Sequence, residues 1–520
     1  MPLRVFRLAL GLGIVAPFVP AVIGFLHSGI PDVLFSGDAA ALELATLHAA
    51  KSVQYLGPYS RFGWSHPGPL FFYLAMPLYD ALGQRGPALN LFALISNLAA
   101  SVAIVFTAAR VGGRILALTL VGLLAVFDLI GAPYLLTNEW NPIWPMLWLA
   151  LFTLLAARLA LGVRSVLPAM AFVGSLIVQT HIGYALEVVA IGAFAAIRGG
   201  IVRGARDSRT SIAAAAAILL VCWSLPLIEA ATTTPGNLQQ LATFFAPTPR
   251  HLSQQPWTIA FTNVAEQLAT APWALFEAVT QRDLAMPGTT AALLLAGAQV
   301  VGLALAMSRA AVRGDAGLGR LGEVVLLQVL VAVMSVRGIR GEVAFYLVAW
   351  CSVIGLLGLA ATITTIVVEA DRSRGRSPVI PTLGALAITA LALSAPIARA
   401  PVFTPPAPEA SSIALAVADF VHAHPGGVPV VSVATRDRWP IAVAAVLHLH
   451  KQNIPVRVDR EWLTVVGRQF AAPPGPHGRL VFGDAAFAAR ASQSGMVAVA
   501  TAGDASVFYA PAGANRQSND

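Results

Sequence analysis

Apolar runs long enough to cross a bilayer, about 20 residues each, recur along this chain from Leu8 to almost Ile397, with short polar or Arg-bearing connectors between them. We count about eleven, and they place the chain in lipid as a polytopic α-helical membrane protein. The composition agrees. Of 520 residues 57% are hydrophobic and only 11% charged, with a mean hydropathy of +0.73, which excludes a soluble globular enzyme.

A formal charge of +8 and a pI near 10.0 do not make this a nucleic-acid binder, because the arginines fall in connectors rather than on one basic face with interleaved aromatics. Cys222 and Cys351 lie inside apolar segments, with no CxxC and no histidine at ligand spacing, so both read as packing residues. The start, MPLRVFRLALGLGIVAPFVPAVIGF, has the basic and apolar parts of a secretory signal, but the many spans after it favour a retained first helix.

Short cytoplasmic loops are enriched in Arg and Lys, and the basic connectors alternate regularly. Arg4 and Arg7, Arg110 and Arg114, Arg158 and Arg164, the Arg198 to Arg209 group, Arg309 to Arg320, and Arg372 to Arg376 are expected inside. The connectors between are then extracytoplasmic: 27–87, 133–141, the turn near His181, 231–288, 337–342 and everything after about Arg399. This parity puts the N-terminus in the cytoplasm and makes the stretch from His66, HPGPLFFYLAMPLYDALG, a juxtamembrane helix in the interface rather than a span. Leu167 to Thr180 and Ile182 to Ile197 form a shallow hairpin around His181. In 231–288, Trp257, Phe261, Val264 and Leu268 recur at helical spacing, an amphipathic helix that is either cover or a lid over a lipid substrate.

The composition changes near residue 400. After PVFTPPAP, elements of helical and strand period alternate: a helix over Ser411 to His424, the strand VPVVSVAT, a helix over Ile441 to Lys451, the strands IPVRVD and RLVFGD, and a hairpin in MVAVATAGDASVFYA. The expectation is a transmembrane domain over 1–399 and a small extracytoplasmic α/β domain over 400–520. The tail GANRQSND is expected to fray.

Ionisable and aromatic residues concentrate in the first outer loop, SGDAAALELATLHAAKSVQYLGPYSRFGWSHPGPLFFY. Asp38 follows Gly37 at a helix start, where an N-cap is its plainest role. An acidic residue after helix one, followed by an aromatic and proline-rich juxtamembrane stretch, resembles the GT-C superfamily of membrane glycosyltransferases. The nearest likeness is to the protein O-mannosyltransferase and aminoarabinose transferase group, and to the polyprenyl-phosphate arabinofuranosyl- and mannosyltransferases of bacterial envelopes. The likeness covers the whole organisation. It implies a sugar carried on a polyprenyl phosphate, inversion at the anomeric carbon, and Asp38 as general base on the acceptor hydroxyl. Glu43, on the same stretch, is a second carboxylate whose simpler identity is a helix-surface Glu.

Two further clusters stand out. In LLTNEWNPIWP, Asn138, Glu139 and Asn141 are flanked by Trp140 and Trp144. The resemblance implies a second acidic residue here, so Glu139 is a candidate to orient a substrate or hold a divalent ion, with the asparagines recognising hydroxyls; the alternative is an interfacial aromatic belt. In SVRGIRGEVAFYL, Arg337 and Arg340 break the positive-inside pattern. A lipid phosphate needs permanent cations at the membrane surface, and a planar guanidinium suits one, so these two, assisted by Tyr346, are candidates for donor binding against an anchor or an ion pair to Glu342. Tyr59, Arg61 and His66 are substrate-contact candidates. Asp128 and Glu187, alone within apolar spans, carry little weight despite the general rule for such residues.

No Ser-His-Asp pattern, P-loop or strand-to-helix GxGxxG is present. The sequence thus predicts an inverting, polyprenyl-phosphate-sugar-dependent hexosyl- or pentosyltransferase of the bacterial inner membrane. Its partners are a lipid-linked sugar donor, an envelope glycan, lipid or protein acceptor and membrane lipids, with no nucleic acid. No cofactor is called for and a divalent cation is left open. The rival class is a lipid or small-solute transporter or flippase, disfavoured because no repeat is visible and the polar clusters lie outside the spans.

Overall fold

The computed structural model describes residues 3–201, 208–246, 254–374, 379–395, 402–405, 407–424 and 427–512. Arg203, Arg206, Arg376 and Arg399, part of the PVFTPPAP linker, and the tail from 513 lie outside them.

The helices run, in chain order, α1 Leu3–Val15, α2 Val19–Ser28, α3 Gly37–Lys51, α4 Leu70–Ala81, α5 Pro87–Val111, α6 Gly113–Val126, α7 Met146–Ala160, α8 Leu167–Thr180, α9 Ala185–Arg198 and α10 Arg209–Thr232. They continue with α11 Asn237–Phe245, α12 Trp257–Thr280, α13 Thr289–Arg313, α14 Ala316–Arg337, α15 Cys351–Arg374 and α16 Val379–Ser394. The remaining elements are α17 Pro408–Ala423, β1 Val430–Val433, α18 Trp439–Lys451, β2 Arg457–Val458, α19 Leu463–Val466, β3 Arg479–Gly483, α20 Ala485–Gln493, β4 Val497–Ala502 and β5 Ala505–Ala510. They form two compact units, one of residues 1–27, 93–228 and 242–402, the other of 28–92, 229–241 and 403–520.

The first unit is a helix bundle. Among the described residues, seven helices are long and apolar enough to cross a membrane: Leu10–Ser28, Pro87–Val111, Gly113–Gly131, Arg209–Thr232, Thr289–Arg313, Ala316–Arg337 and Cys351–Ala370. Met146–Ala160, Arg164–Thr180 and Pro381–Ser394 are shorter apolar helices, and α8 and α9 are joined through a single turn at His181. The chain is a polytopic membrane protein. Its core is Leu, Val and Ala from α5, α6, α7, α14 and α15, and small residues let the backbones approach closely. A methyl group on Gly317 would meet Val111 O at 1.8 Å, and one on Gly199 would meet Leu159 O at 2.1 Å.

Helix α12 departs from the bundle's direction. The N–H of Gln255, just before it, donates to Arg337 O at 2.9 Å, at the end of α14. Gln281, just after it, donates to Leu391 O at 2.9 Å, near the end of α16. Alternation along the chain puts the ends of α14 and α16 on the same side, so α12 lies across that end of the bundle instead of passing through it. Val264 and Leu268 are buried beneath it, whereas Trp257 and Phe261 are 46% and 53% exposed. The helix expected from the spacing is therefore present and rests on protein through Val264 and Leu268, with its two large aromatics about half exposed.

The second unit holds a five-stranded sheet in the order β2-β1-β3-β5-β4. β1 pairs in parallel with β2 and β3, while β5 is antiparallel to β3 and closes a hairpin with β4. The strands and helices fall where the sequence places them after residue 400. The first loop also joins this unit: Leu44, Leu47, Ala75 and Tyr79 share one hydrophobic core with Ile413, Val431, Leu447 and Val507. α3 and α18 run parallel, since Gly37 lies against Pro440 while Lys51 reaches Asn453.

Candidate functional site

In the second unit, Gly37 opens α3 at φ +58°, a left-handed conformation that glycine adopts without strain. It places Asp38 in the first helical turn, where the exposed N–H groups favour a carboxylate. Tyr59 donates its hydroxyl to Asp38 Oδ1. Burial pushes the Asp38 carboxyl above the usual carboxylate range, and the Tyr59 hydrogen bond acts against that rise.

Tyr59 is held by a hairpin-like loop. His66 N–H bonds Pro58 O at 2.7 Å, Ser60 N–H bonds Trp64 O at 2.8 Å, and Gly57 N–H bonds His66 O at 3.1 Å. Asn237 grips the second limb of the loop by both faces of its amide, accepting from Ser65 N–H at 2.9 Å and donating to Ser65 O at 2.8 Å. Its own N–H bonds Glu229 Oε2 at 2.9 Å, and Arg468 lies 3.2 Å from the other Glu229 oxygen. His66 is buried, its ring edge-on to Trp64 at 5.5 Å, and Arg61 sits exposed at the loop tip over the Phe62 ring.

Glu43 is not on a helix surface. It is fully buried, accepts from Tyr79 Oη at 2.9 Å, and forms an ion pair with Lys451 of α18. The helix-surface identity fails because α3 is covered along most of its length, and the Ala and Leu residues on either side of Glu43 leave no distinct polar face to show which side is buried. Glu43 Oε2 has no hydrogen-bond partner among the described residues. Burial raises its carboxyl more than Lys451 and Tyr79 lower it.

The other candidates lie in the first unit, on the end crossed by α12. Arg337 Nη1 donates to Gln254 Oε1 at 2.8 Å and its guanidinium stands 4.4 Å over the Trp257 ring. Arg340 covers the Phe244 ring at 4.8 Å, and its Nη1 is buried without a hydrogen-bond partner among the described residues. Tyr346 packs on Trp140 at 4.8 Å, and Phe345 on Tyr134 at 5.6 Å. The clusters around Asn138 and Arg337, far apart in sequence, are thus brought together. Asn138 Oδ1 caps Trp140 N–H at 2.8 Å, Asn141 donates to Thr180 O at 3.4 Å, and Glu139 is buried between them. Asn97 supports this loop from α5 by bonds to Leu135 O and Leu136 O at 3.0 and 3.1 Å. Among the described residues no group of three or more His, Cys, Asp or Glu gathers at metal-binding range.

No family model matches the sequence, and no curated protein matches it. Solved structures do. The ArnT crystal structure from Cupriavidus metallidurans, bound to undecaprenyl phosphate, overlays with TM-score 0.56 across 98% of this chain and 100% of that one, at 14% identity. The apo form of the same enzyme gives 0.57 over 97% of each chain, also at 14%. The chain shares the fold of these structures. At this identity the likeness shows the architecture, a membrane helix bundle with a small α/β part.

Lys451, Tyr79, Asn237, Glu229, Arg468 and Gln254 were not singled out by sequence reasoning. Each acts through a partner between 8 and 408 positions away, and nothing local marks it. Glu229 alone carried a signal, being an acidic residue at the end of an apolar span.

Proposed function

We propose that this chain is an inverting glycosyltransferase that moves a hexose or pentose from a polyprenyl-phosphate carrier to an envelope glycan, lipid or protein on the extracytoplasmic side of the bacterial inner membrane. The observation that carries this reading is Asp38: a carboxylate at a helix start, oriented by Tyr59 and made more basic by burial, which suits a general base. In the proposed step the acceptor oxygen attacks the anomeric carbon and its proton passes to Asp38. The bond from that carbon to the phosphate oxygen breaks, and its electron pair leaves on the polyprenyl phosphate.

Arg337 and Arg340 are proposed to receive that phosphate. Both are cations carried against aromatic rings, and Nη1 of Arg340, which has no hydrogen-bond partner among the described residues, can donate to a phosphate oxygen. The carrier class is taken from the fold's relative, ArnT, crystallised with undecaprenyl phosphate. Tyr346 and the Asn138–Asn141 turn complete the proposed donor side. The N-terminus is proposed to be cytoplasmic and the α/β part extracytoplasmic, from the alternation of basic connectors.

The test is transfer of radiolabelled sugar from a panel of polyprenyl-phosphate pentoses and hexoses, in membranes carrying the wild type or the Arg337→Ala/Arg340→Ala double variant. Transfer by the wild type, with the donor KM raised about tenfold or more in the variant, supports the reading. Transfer with an unchanged donor KM removes the arginines from it.

A further inference from the structure

A glycosyltransferase has to hold an acceptor against its base, and Asp38 has a neighbour suited to that task that neither the sequence motifs nor the fold's resemblance assigns. In the second unit, β1 is followed by α18 leading to β2 on one side, while β3 lies on the other side and leads to α20. The strand order reverses there, and in parallel α/β sheets ligands bind outside the carboxyl ends of strands at such a switch point. The residues at that place are Thr435, which accepts from Asp484 N–H at 3.3 Å, and the turn Arg436–Arg438 leading into Trp439.

Trp439 is the first residue of α18. Because α3 and α18 run parallel, its indole meets the start of α3: the far edge of its six-membered ring lies 3.8 Å from where a Cβ on Gly37 would stand. Its ring is met edge-on by Tyr59 at 5.8 Å, the same Tyr59 that holds the Asp38 carboxylate. Trp462 stacks beside it, with ring centroids 6.4 Å apart and planes 15° from parallel. Trp439, Trp462, Tyr59 and Asp38 are all half-buried, so this aromatic step retains accessible surface beside a carboxylate.

The chemistry of the rim decides what fits. Arg436, Asp437, Arg460 and Glu461, close to the two indoles in the chain, are exposed, and Arg438, next to Trp439, is paired with Asp504, so positive and negative groups balance. Such a rim offers donors and acceptors to hydroxyls but no excess charge to draw a phosphate or a polyanion. Two near-parallel indoles present flat apolar faces of the size of a sugar ring.

We infer that Trp439 and Trp462 form the acceptor subsite, and that the acceptor is a neutral glycan whose terminal sugar stacks on this pair with a hydroxyl turned toward Asp38. This rests on the proposed role of Asp38 as the base. Trp439 is then a positioning and specificity residue, and the small α/β part is the glycan reader of the enzyme.

The experiment separates binding from transfer. The full chain in lipid nanodiscs is titrated, without donor, with methyl pyranosides of glucose, mannose and galactose and with methyl arabinofuranoside, read by saturation-transfer NMR. The expected result is saturation of sugar C–H protons for at least one glycoside. That affinity falls about tenfold in Trp439→Ala and in Trp462→Ala, is restored within about threefold in Trp439→Phe, and persists in Asp38→Asn, whose transfer is slowed about 10²–10⁴-fold. Absence of saturation transfer to every glycoside, or wild-type affinity in both alanine variants, overturns the subsite even if transfer is intact. Glycoside binding that depends on Trp439, in a protein that transfers from no donor, upholds the subsite and overturns the reading of Asp38.

Discussion

Lys451→Met and Glu43→Gln break the same ion pair from opposite ends, and the structure predicts very different costs. Glu43 has 0% side-chain exposure and Lys451 19%. Removing the lysine leaves a carboxylate with one hydrogen bond, from Tyr79, and no route to water, which costs about 3–5 kcal/mol. Removing the carboxylate leaves an ammonium group that already reaches the surface, and withdraws a charge whose burial outweighs its attractions, so the loss is about 1 kcal/mol. The double variant should recover most of the difference, since a buried pair replaced as a whole is close to neutral. The pH dependence follows from the raised carboxyl. An acid whose folded value lies above its unfolded one favours the fold when protonated, and that contribution is lost as pH rises beyond the unfolded value of about 4.5. Lys451→Met should therefore be most impaired at alkaline pH and recover toward acid. Tryptophan-fluorescence melting of the full chain in detergent, from about pH 5 to about pH 8, is the assay. At roughly 2–4 °C per kcal/mol for a unit of this size, Lys451→Met should lower the midpoint by roughly 6–20 °C at the upper pH and by much less at the lower. An equal or larger loss in Glu43→Gln, or a loss independent of pH, refutes the reasoning.

Tyr59→Phe removes the hydrogen bond that holds the Asp38 carboxyl down. Because the base works only when deprotonated, the acid limb of the transfer rate should move to higher pH; an unmoved limb would dissociate Tyr59 from the base. Gly355→Ala places a methyl 2.4 Å from Leu268 O, forcing α12 off α15 at about 1–3 kcal/mol, while Gly358→Ala meets only Val325 Cγ1 at 3.6 Å and should melt as the wild type does. Asn237→Ala leaves both Ser65 backbone groups without their clamp, at about 1–3 kcal/mol, and should expose the 57–66 loop to limited proteolysis at protease levels that spare the wild type.

The membrane character and the elements of the α/β part were legible because each is written as a local period of hydrophobicity. So was α12, though the spacing of Trp257, Phe261, Val264 and Leu268 did not tell which pair would be buried. What was not legible is pairwise. Nothing in SGDAAALELATLHAAK says that Glu43 meets Lys451, since a carboxylate pays no local penalty that a sequence pattern records, and only the parallel packing of α3 on α18 closes the gap. Asn237 and Trp439 are of the same kind. Conversely, the Asn138 and Arg337 clusters were recognised separately, and it took the Tyr346–Trp140 contact to join them.

The most direct test of the central claim is the stereochemical course and rate of transfer by Asp38→Asn, an isosteric change, beside the wild type with the same polyprenyl-phosphate sugar. The account predicts a wild-type product of inverted anomeric configuration and a rate in Asp38→Asn lower by about 10²–10⁴-fold, with donor KM unchanged. Transfer by Asp38→Asn at the wild-type rate, or a product of retained configuration, would contradict it.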